Sequence, residues 1–155
     1  MLKSWWFYII LCLIAFVVVF GAVKIARAEE YTDNLWQGLV AEDTSGDYET
    51  YLCIASVVRN RLNKGMTIGL VALKRKNLDS FVAKECAYAL KHGKDLKKLS
   101  QDAIREVFSG KNYVNGATHY EHTEVYITPN WAKNMQVVEI LYQGTYKEIT
   151  FWKAR

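Results

Sequence analysis

Carboxylates and imidazoles crowd two stretches of this 155-residue chain. The first, "GLVAEDTSGDYETY", carries Glu42, Asp43, Asp47 and Glu49; the second, "GATHYEHTEVY", carries His119, Glu121, His122 and Glu124. Such groups can hold a cation, activate a nucleophile or move a proton, and their spacing separates these chemistries. Asp43, Ser45, Asp47 and Glu49 alternate like the start of a calcium loop. That loop needs glycine at its sixth position and glutamate at its twelfth, and here those positions are Tyr48 and Ile54. His119 and His122 with their acidic neighbours are zinc ligands by type. The threonines and aromatics around them favour extended chain, however, in which residues three apart point to opposite faces. A polar binding surface suits this cluster better, with ordinary loop residues as the bland alternative. Ser45, Ser56, Ser80, Ser100 and Ser109 lack a G-x-S-x-G setting. Cys53 and Cys86 have neither catalytic surroundings nor metal-ligand spacing, so neither a metal nor a cofactor is expected.

Proton transfer by a single carboxylate remains. Glu42 and Asp43 fall at the C-terminal end of an expected helix, where the dipole disfavours an acid by about 0.3–1 kcal/mol. Beside Leu39 and Val40, that placement would be expected to favour the protonated form that a general acid near neutral pH requires. At about 100° per residue, Asp43 lies nearer the centre of the apolar stripe and Glu42 nearer its edge. Periodicity therefore leaves the choice open, and a plain helix-to-turn junction is the competing reading.

The elements that would carry these groups are mostly helical. Asp33 or Asn34 can cap a first helix with Leu35, Trp36, Leu39 and Val40 on one face, and Asp43 to Gly46 break it. Ser45 or Asp47 can cap a second helix, with Tyr51, Ile54, Ala55, Val58 and Leu62 as its stripe and Gly65 as its stop. A third helical region runs from about Leu70 to Lys91, broken near Lys76 to Asp79, and ends at Gly93. Ser100 opens a fourth, with Ala103, Ile104, Val107 and Phe108 inside and Gly110 after it. From Asn112 the texture turns to short strands and loops. Trp131, after the single proline Pro129, starts a last short helix, and "TYKEITFW" alternates like a strand. The expected class is mainly α with a small β element, α+β.

The N-terminus is of another kind. Trp5 to Val23 carries no charge, about the length of one bilayer-spanning helix, while Ala26-Arg27-Ala28 reads as a cleavage site. Residues 1–28 are thus a signal-anchor or signal peptide (apolar 5–23), 29–33 a connector, and 34–155 the working domain. Either form takes the domain to a membrane. Setting aside Lys3, Lys24 and Arg27 from the 20 basic residues leaves 17, against 16 acids. So even a balance gives no reason to expect nucleic acid. Cys53 and Cys86 could pair outside the cytoplasm, or remain two buried thiols.

The stretch "AEDTSGDYETYLCIASVVRNRL" resembles the opening of the SleB-type cell-wall hydrolases, roughly E-A-R-G-E-x-x-x-G-Q-x-A-V-A-x-V-V-x-N-R. Glu42 matches the first Glu, and Ala55, Val57, Val58, Asn60 and Arg61 match the following helix. "GATHYEHTEVYITPNWAK" resembles the second block of that family, G-A-x-x-Y-x-x-x-x-x-x-P-x-W-A, through Gly116, Ala117, Tyr120, Pro129, Trp131 and Ala132; the phage and prophage branch, which often reads G-A-T-H-Y-H, fits better still. The resemblance implies a lysozyme-like fold and cleavage of the MurNAc–GlcNAc β-1,4 bond of peptidoglycan, with lytic transglycosylase chemistry common among members. It assigns the general acid/base to Glu42 and not to Asp43, and it puts Tyr120, His119, His122, Thr118 and Asn60 on the substrate. Peptidoglycan strands would be the partner, at the envelope face of the membrane or outside it. The chain departs from the pattern where Gly46 replaces the second Glu, with Asp47 the nearest substitute, and where the terminal I-G-x-H-x-F-Y keeps only Phe151 and Trp152. A non-catalytic glycan-binding or scaffold module of an envelope or phage-lysis apparatus is the alternative, and a hydrolase with metal on His119 and His122 the third.

Overall fold

The computed structural model describes residues 9, 10, 12, 34–124, 127–142 and 147–155. The chain divides into two units, Met1–Asp33 and Asn34–Arg155. In the first, Ile9, Ile10 and Cys12 are helical and exposed. The rest of the expected signal or anchor segment, and the connector, lies outside the described residues. Among the described residues, no helix is long and apolar enough to cross a membrane.

The second unit is mixed α/β, with four helices and a three-stranded antiparallel sheet among the described residues. The first helix, α1 (34–42), buries Leu35, Leu39 and Val40 and leaves Trp36 half-buried. It ends because Asp43 turns its carboxylate onto the chain ahead. One oxygen accepts from the Ser45 N–H at 3.0 Å and the other from the Ser45 hydroxyl at 2.8 Å, a local bond that competes with continued helix. Gly46, at φ +68°, then lets the chain pass under Leu96, whose Cδ2 would lie 2.5 Å from any Cβ there.

Helix α2 (Tyr48–Asn63) starts at Asp47, whose carboxylate accepts from the Thr50 N–H at 2.9 Å and the Thr50 hydroxyl at 2.6 Å. It stops in a Schellman turn, with the Gly65 N–H on the Leu62 carbonyl and the Met66 N–H on the Arg61 carbonyl. Tyr51, Ile54, Ala55 and Val58 are buried as their spacing requires, but so are Leu52, Cys53 and Val57. The helix is therefore a central strut packed on more than one side, and its polar members are satisfied inside. The Tyr51 hydroxyl donates to the Asp43 carbonyl at 2.9 Å, and the Ser56 hydroxyl accepts from the Tyr113 N–H at 3.1 Å.

The expected third region resolves into a 3₁₀ turn, Val71–Lys74, and helix α3 (Leu78–Lys91), with the break at 75–77 overlapping the expected Lys76 to Asp79 only at its start. Helix α4 (Leu96–Phe108) corrects the expected start at Ser100. Its cap is Asp95, whose carboxylate accepts from the Lys98 N–H at 2.9 Å, and Ser100 is a buried residue inside it. Ala103, Ile104 and Val107 are buried and Phe108 half-buried.

Strands β1 (His119–Glu124), β2 (Met135–Tyr142) and β3 (Lys147–Ala154) form the sheet in the order β1-β3-β2. The short helix expected at Trp131 is a single 3₁₀ turn, Asn130–Ala132, and the chain then enters a strand. Val137, Val138 and Ile140 are β-branched and lose side-chain freedom in a helix but not on a pleated sheet. A bulge between Val137 and Glu139 shifts the register against β3. Ile149 and Phe151 of β3 join the helical core, with Tyr120 opposite Phe151 on the same sheet face. The other face carries Trp152, Thr150 and Glu148 opposite His119, Glu121 and Thr123.

Cys53 and Cys86 are both free, the first buried and the second half-buried. Burial pushes the Cys53 thiol up to about 12. Burial, followed by the hydrogen bond to Glu106, pushes the Tyr48 phenol up to about 12 as well, and burial raises Tyr51 further. All three hold their protons more tightly folded than unfolded. Their contribution is whole below the unfolded values, about 8.5 for cysteine and 10 for tyrosine, and is lost as pH rises toward the folded ones. The melting temperature should therefore fall progressively above about pH 9. A flat profile in thermal denaturation from pH 8 to 12 would contradict these burials.

Candidate active site

Two clefts divide the acids of the first stretch. One, of about 340 Å³, is lined by Glu42, Val57, Arg61, Ile68, Gly69, Val71 and the run Thr118 to His122. The other, of about 480 Å³, takes Asp43, Ser45, Asp47, Glu49 and Thr50 on one side and Ile140, Leu141, Tyr142 and Lys147 on the other. In the second cleft the carboxylates of Asp43 and Asp47 are already engaged, Asp43 in the turn and Asp47 as the cap of α2. Asp47 therefore does not stand beside Glu42, and no side chain can replace the missing glutamate at Gly46 without displacing Leu96.

Glu42 is the last helical residue of α1, so its carboxylate leaves the helix where the chain turns away. Its Oε1 accepts from the Ala72 N–H at 3.1 Å, which ties it to the 3₁₀ turn across the cleft. Opposite stands Tyr120 of β1. Burial first, then the nearby charge of the Glu42 carboxylate, push the Tyr120 phenol far upward, with Arg61 opposing. Tyr120 therefore stays a neutral O–H donor facing Glu42. A carboxyl that accepts from a backbone N–H and faces a neutral phenol across a cleft can give a proton to a bound oxygen and take one back.

His119 and His122 lie on opposite faces of β1, as the strand's alternation demands, yet both line the cleft because β1 is a sheet edge. Burial first, then the positive charges of Arg61 and Lys64, hold the His119 imidazole below its ordinary value, so it is neutral at neutral pH. The Thr118 hydroxyl lies 3.0 Å from His119 Nδ1. Thr118 itself is buried and serves to orient that ring. No group of three or more metal-ligating side chains occurs among the described residues.

Asn60, expected on the substrate, is placed elsewhere. It is buried, and its amide donates to the Ala117 carbonyl at 2.9 Å while its carbonyl accepts from Asn112 at 3.0 Å. It fixes the loop that delivers Thr118 to Tyr120 into β1 and does not line the cleft. The residue that matched the first block but was given no role in the site is Arg61. From the last turn of α2 its Nε donates to the Thr67 carbonyl at 2.7 Å and its Nη1 to the Thr118 carbonyl at 2.9 Å. One guanidinium thus joins both walls. Among helix-terminal cations it reads as a partner for the dipole; the signal that could have singled it out is Gly69, an isolated glycine in "MTIGLVALK".

Gly69 sits at φ +80°, and a Cβ there would lie 2.4 Å from Arg61 Nε. Gly69→Ala should cost roughly 1–2 kcal/mol from backbone strain alone. It should also displace Arg61, so any turnover at the Glu42 cleft would fall further than the melting temperature implies. Paired thermal and turnover measurements check this, and a variant with unchanged values for both would show the clamp to be dispensable.

No protein-family model, curated protein or solved structure matches the chain, so the SleB-type resemblance rests on the residues of its two blocks alone.

Proposed function

We propose that the chain is a peptidoglycan-degrading enzyme of lysozyme-like fold that cleaves the MurNAc–GlcNAc β-1,4 bond. Glu42 acts as the general acid/base, in the manner of a lytic transglycosylase. The observation that carries this reading is the convergence in one cleft of Glu42, from the first block of the resemblance, with Tyr120 and its neighbours, from the second. The blocks lie far apart in sequence, and their meeting at a carboxylate supports a shared chemical role. Apolar residues 5–23 support delivery to the cell envelope.

In this mechanism Glu42 protonates the glycosidic oxygen, and the leaving sugar departs. The same carboxylate then takes the proton of the muramyl C6 hydroxyl as that oxygen closes on the anomeric carbon, giving a 1,6-anhydro end. Tyr120 steadies the carboxylate between the two steps, and neutral His119 offers its remaining ring nitrogen to a sugar substituent. A two-carboxylate hydrolase would instead need a second acid across the bond. Glu121 is the other carboxylate lining this cleft, and it is exposed on the strand edge.

The test is digestion of purified sacculi followed by mass analysis of the muramyl ends. Anhydromuramyl ends support the transglycosylase. Reducing ends would move the reaction to hydrolysis. Binding of sacculi with no product would favour a non-catalytic glycan-binding module.

A further inference from the structure

We infer that Trp131 is a stacking platform for a pyranose ring, forming a sugar subsite that continues the Glu42 cleft; this rests on the glycan reading above. Trp131 is 47% exposed, while Trp152 beneath it is 1% exposed. The two rings meet at 5.1 Å and 72°, an edge-to-face packing. On another side, Trp131 lies 5.7 Å from the His119 ring, and His119 lines the cleft. His119 thus links the cleft lining, at the strand edge, to the exposed indole.

The platform is anchored. Trp131 stands in the 3₁₀ turn Asn130–Ala132, closed by the Ala132 N–H on the Pro129 carbonyl at 2.9 Å, with Ala132 buried. A large aromatic held rigidly in water, with both supporting contacts on its flanks, loses little freedom when a flat apolar surface covers it. The carbon–hydrogen face of a pyranose is such a surface. Its hydroxyl rim needs polar neighbours, which His119 and Glu121 supply at the cleft border. A purely apolar occupant would leave those groups unpaired. The chemical class is thus a β-1,4 chain of N-acetylated hexoses, long enough to fill the cleft and reach beyond it.

The full-length Glu42→Gln protein, which should bind without turnover, would be titrated with the disaccharide and the tetrasaccharide of β-1,4-linked N-acetylglucosamine. Adding Trp131→Ala should weaken tetrasaccharide binding roughly tenfold or more and leave disaccharide binding nearly unchanged. Trp131→Phe should restore most of the loss. As a readout that needs no substitution at the platform, the Trp131 indole N–H resonance should shift with the tetrasaccharide and not with the disaccharide. Equal tetrasaccharide affinity with Ala at 131, or an unmoved indole signal, overturns the subsite and leaves the glycan reading standing. No sugar binding by the Glu42→Gln protein overturns both. A change of oligomeric state in Trp131→Ala, with sugar affinity intact, would assign this face to a second copy and overturn the subsite.

Discussion

Glu42→Gln should abolish muropeptide release from purified sacculi, lowering the rate by about 10²–10⁴-fold, the usual worth of a positioned general acid. The substitution is nearly isosteric. Its amide oxygen can still accept from the Ala72 N–H, as Glu42 Oε1 does at 3.1 Å, so the melting temperature should stay close to that of the parent. Glu121→Gln is the matched test on the same cleft: its amide can still bond a sugar hydroxyl but cannot act as a second carboxylate, so a single-carboxylate mechanism should keep most of the activity. Full activity in Glu42→Gln would remove this residue from the mechanism. A collapse in both variants would point instead to paired carboxylates.

Phe151→Ala should be among the most destabilising single changes outside the cleft, at about 3–5 kcal/mol for a fully buried phenylalanine. Phe151 is 0% exposed and occupies the middle of β3, opposite Tyr120 of β1 and Glu139 of β2. Its ring lies 5.9 Å from that of Tyr120. Losing it removes the support behind the phenol that faces Glu42, so activity should fall even at temperatures where the variant remains folded. Denaturant unfolding together with turnover at low temperature would show both effects. A loss under about 1 kcal/mol would mean that the helical body collapses into the space.

The parts of the fold that were legible in the sequence are those with local signals. Helix α2 is readable from Asp47, its stripe and Gly65, because cap, spacing and stop agree. Its second buried side was not readable, since Leu52, Cys53 and Val57 are interleaved with the polar Thr50, Ser56 and Asn60, of which Thr50 bonds to the Asp47 cap while Ser56 and Asn60 find partners in the distant Tyr113 and Ala117. The start of α4 was hidden by the lysines around Asp95, which read as a solvated helix end and left Ser100 as the visible cap. Strand β2 was hidden by its own bulge, which breaks the two-residue alternation a strand otherwise displays. At the site, periodicity favoured Asp43 for burial, and Asp43 is indeed 7% exposed, but that burial serves a turn. Glu42 was chosen by resemblance, and only tertiary geometry sets it opposite Tyr120 and reveals Arg61 between the walls.

The order β1-β3-β2 also decides when a working cleft can exist. The β2–β3 pair is a short-range closure, whereas β1 has to wait for β3 to arrive across the intervening 3₁₀ turn and hairpin partner. Closures of longer span cost more chain entropy before any contact repays it. Glu42 rides on a helix built from neighbouring residues, while Tyr120 is held in place by that later pairing. A folding chain can thus own its helices, its carboxylate and most of its circular-dichroism signal while still having no second wall to work against.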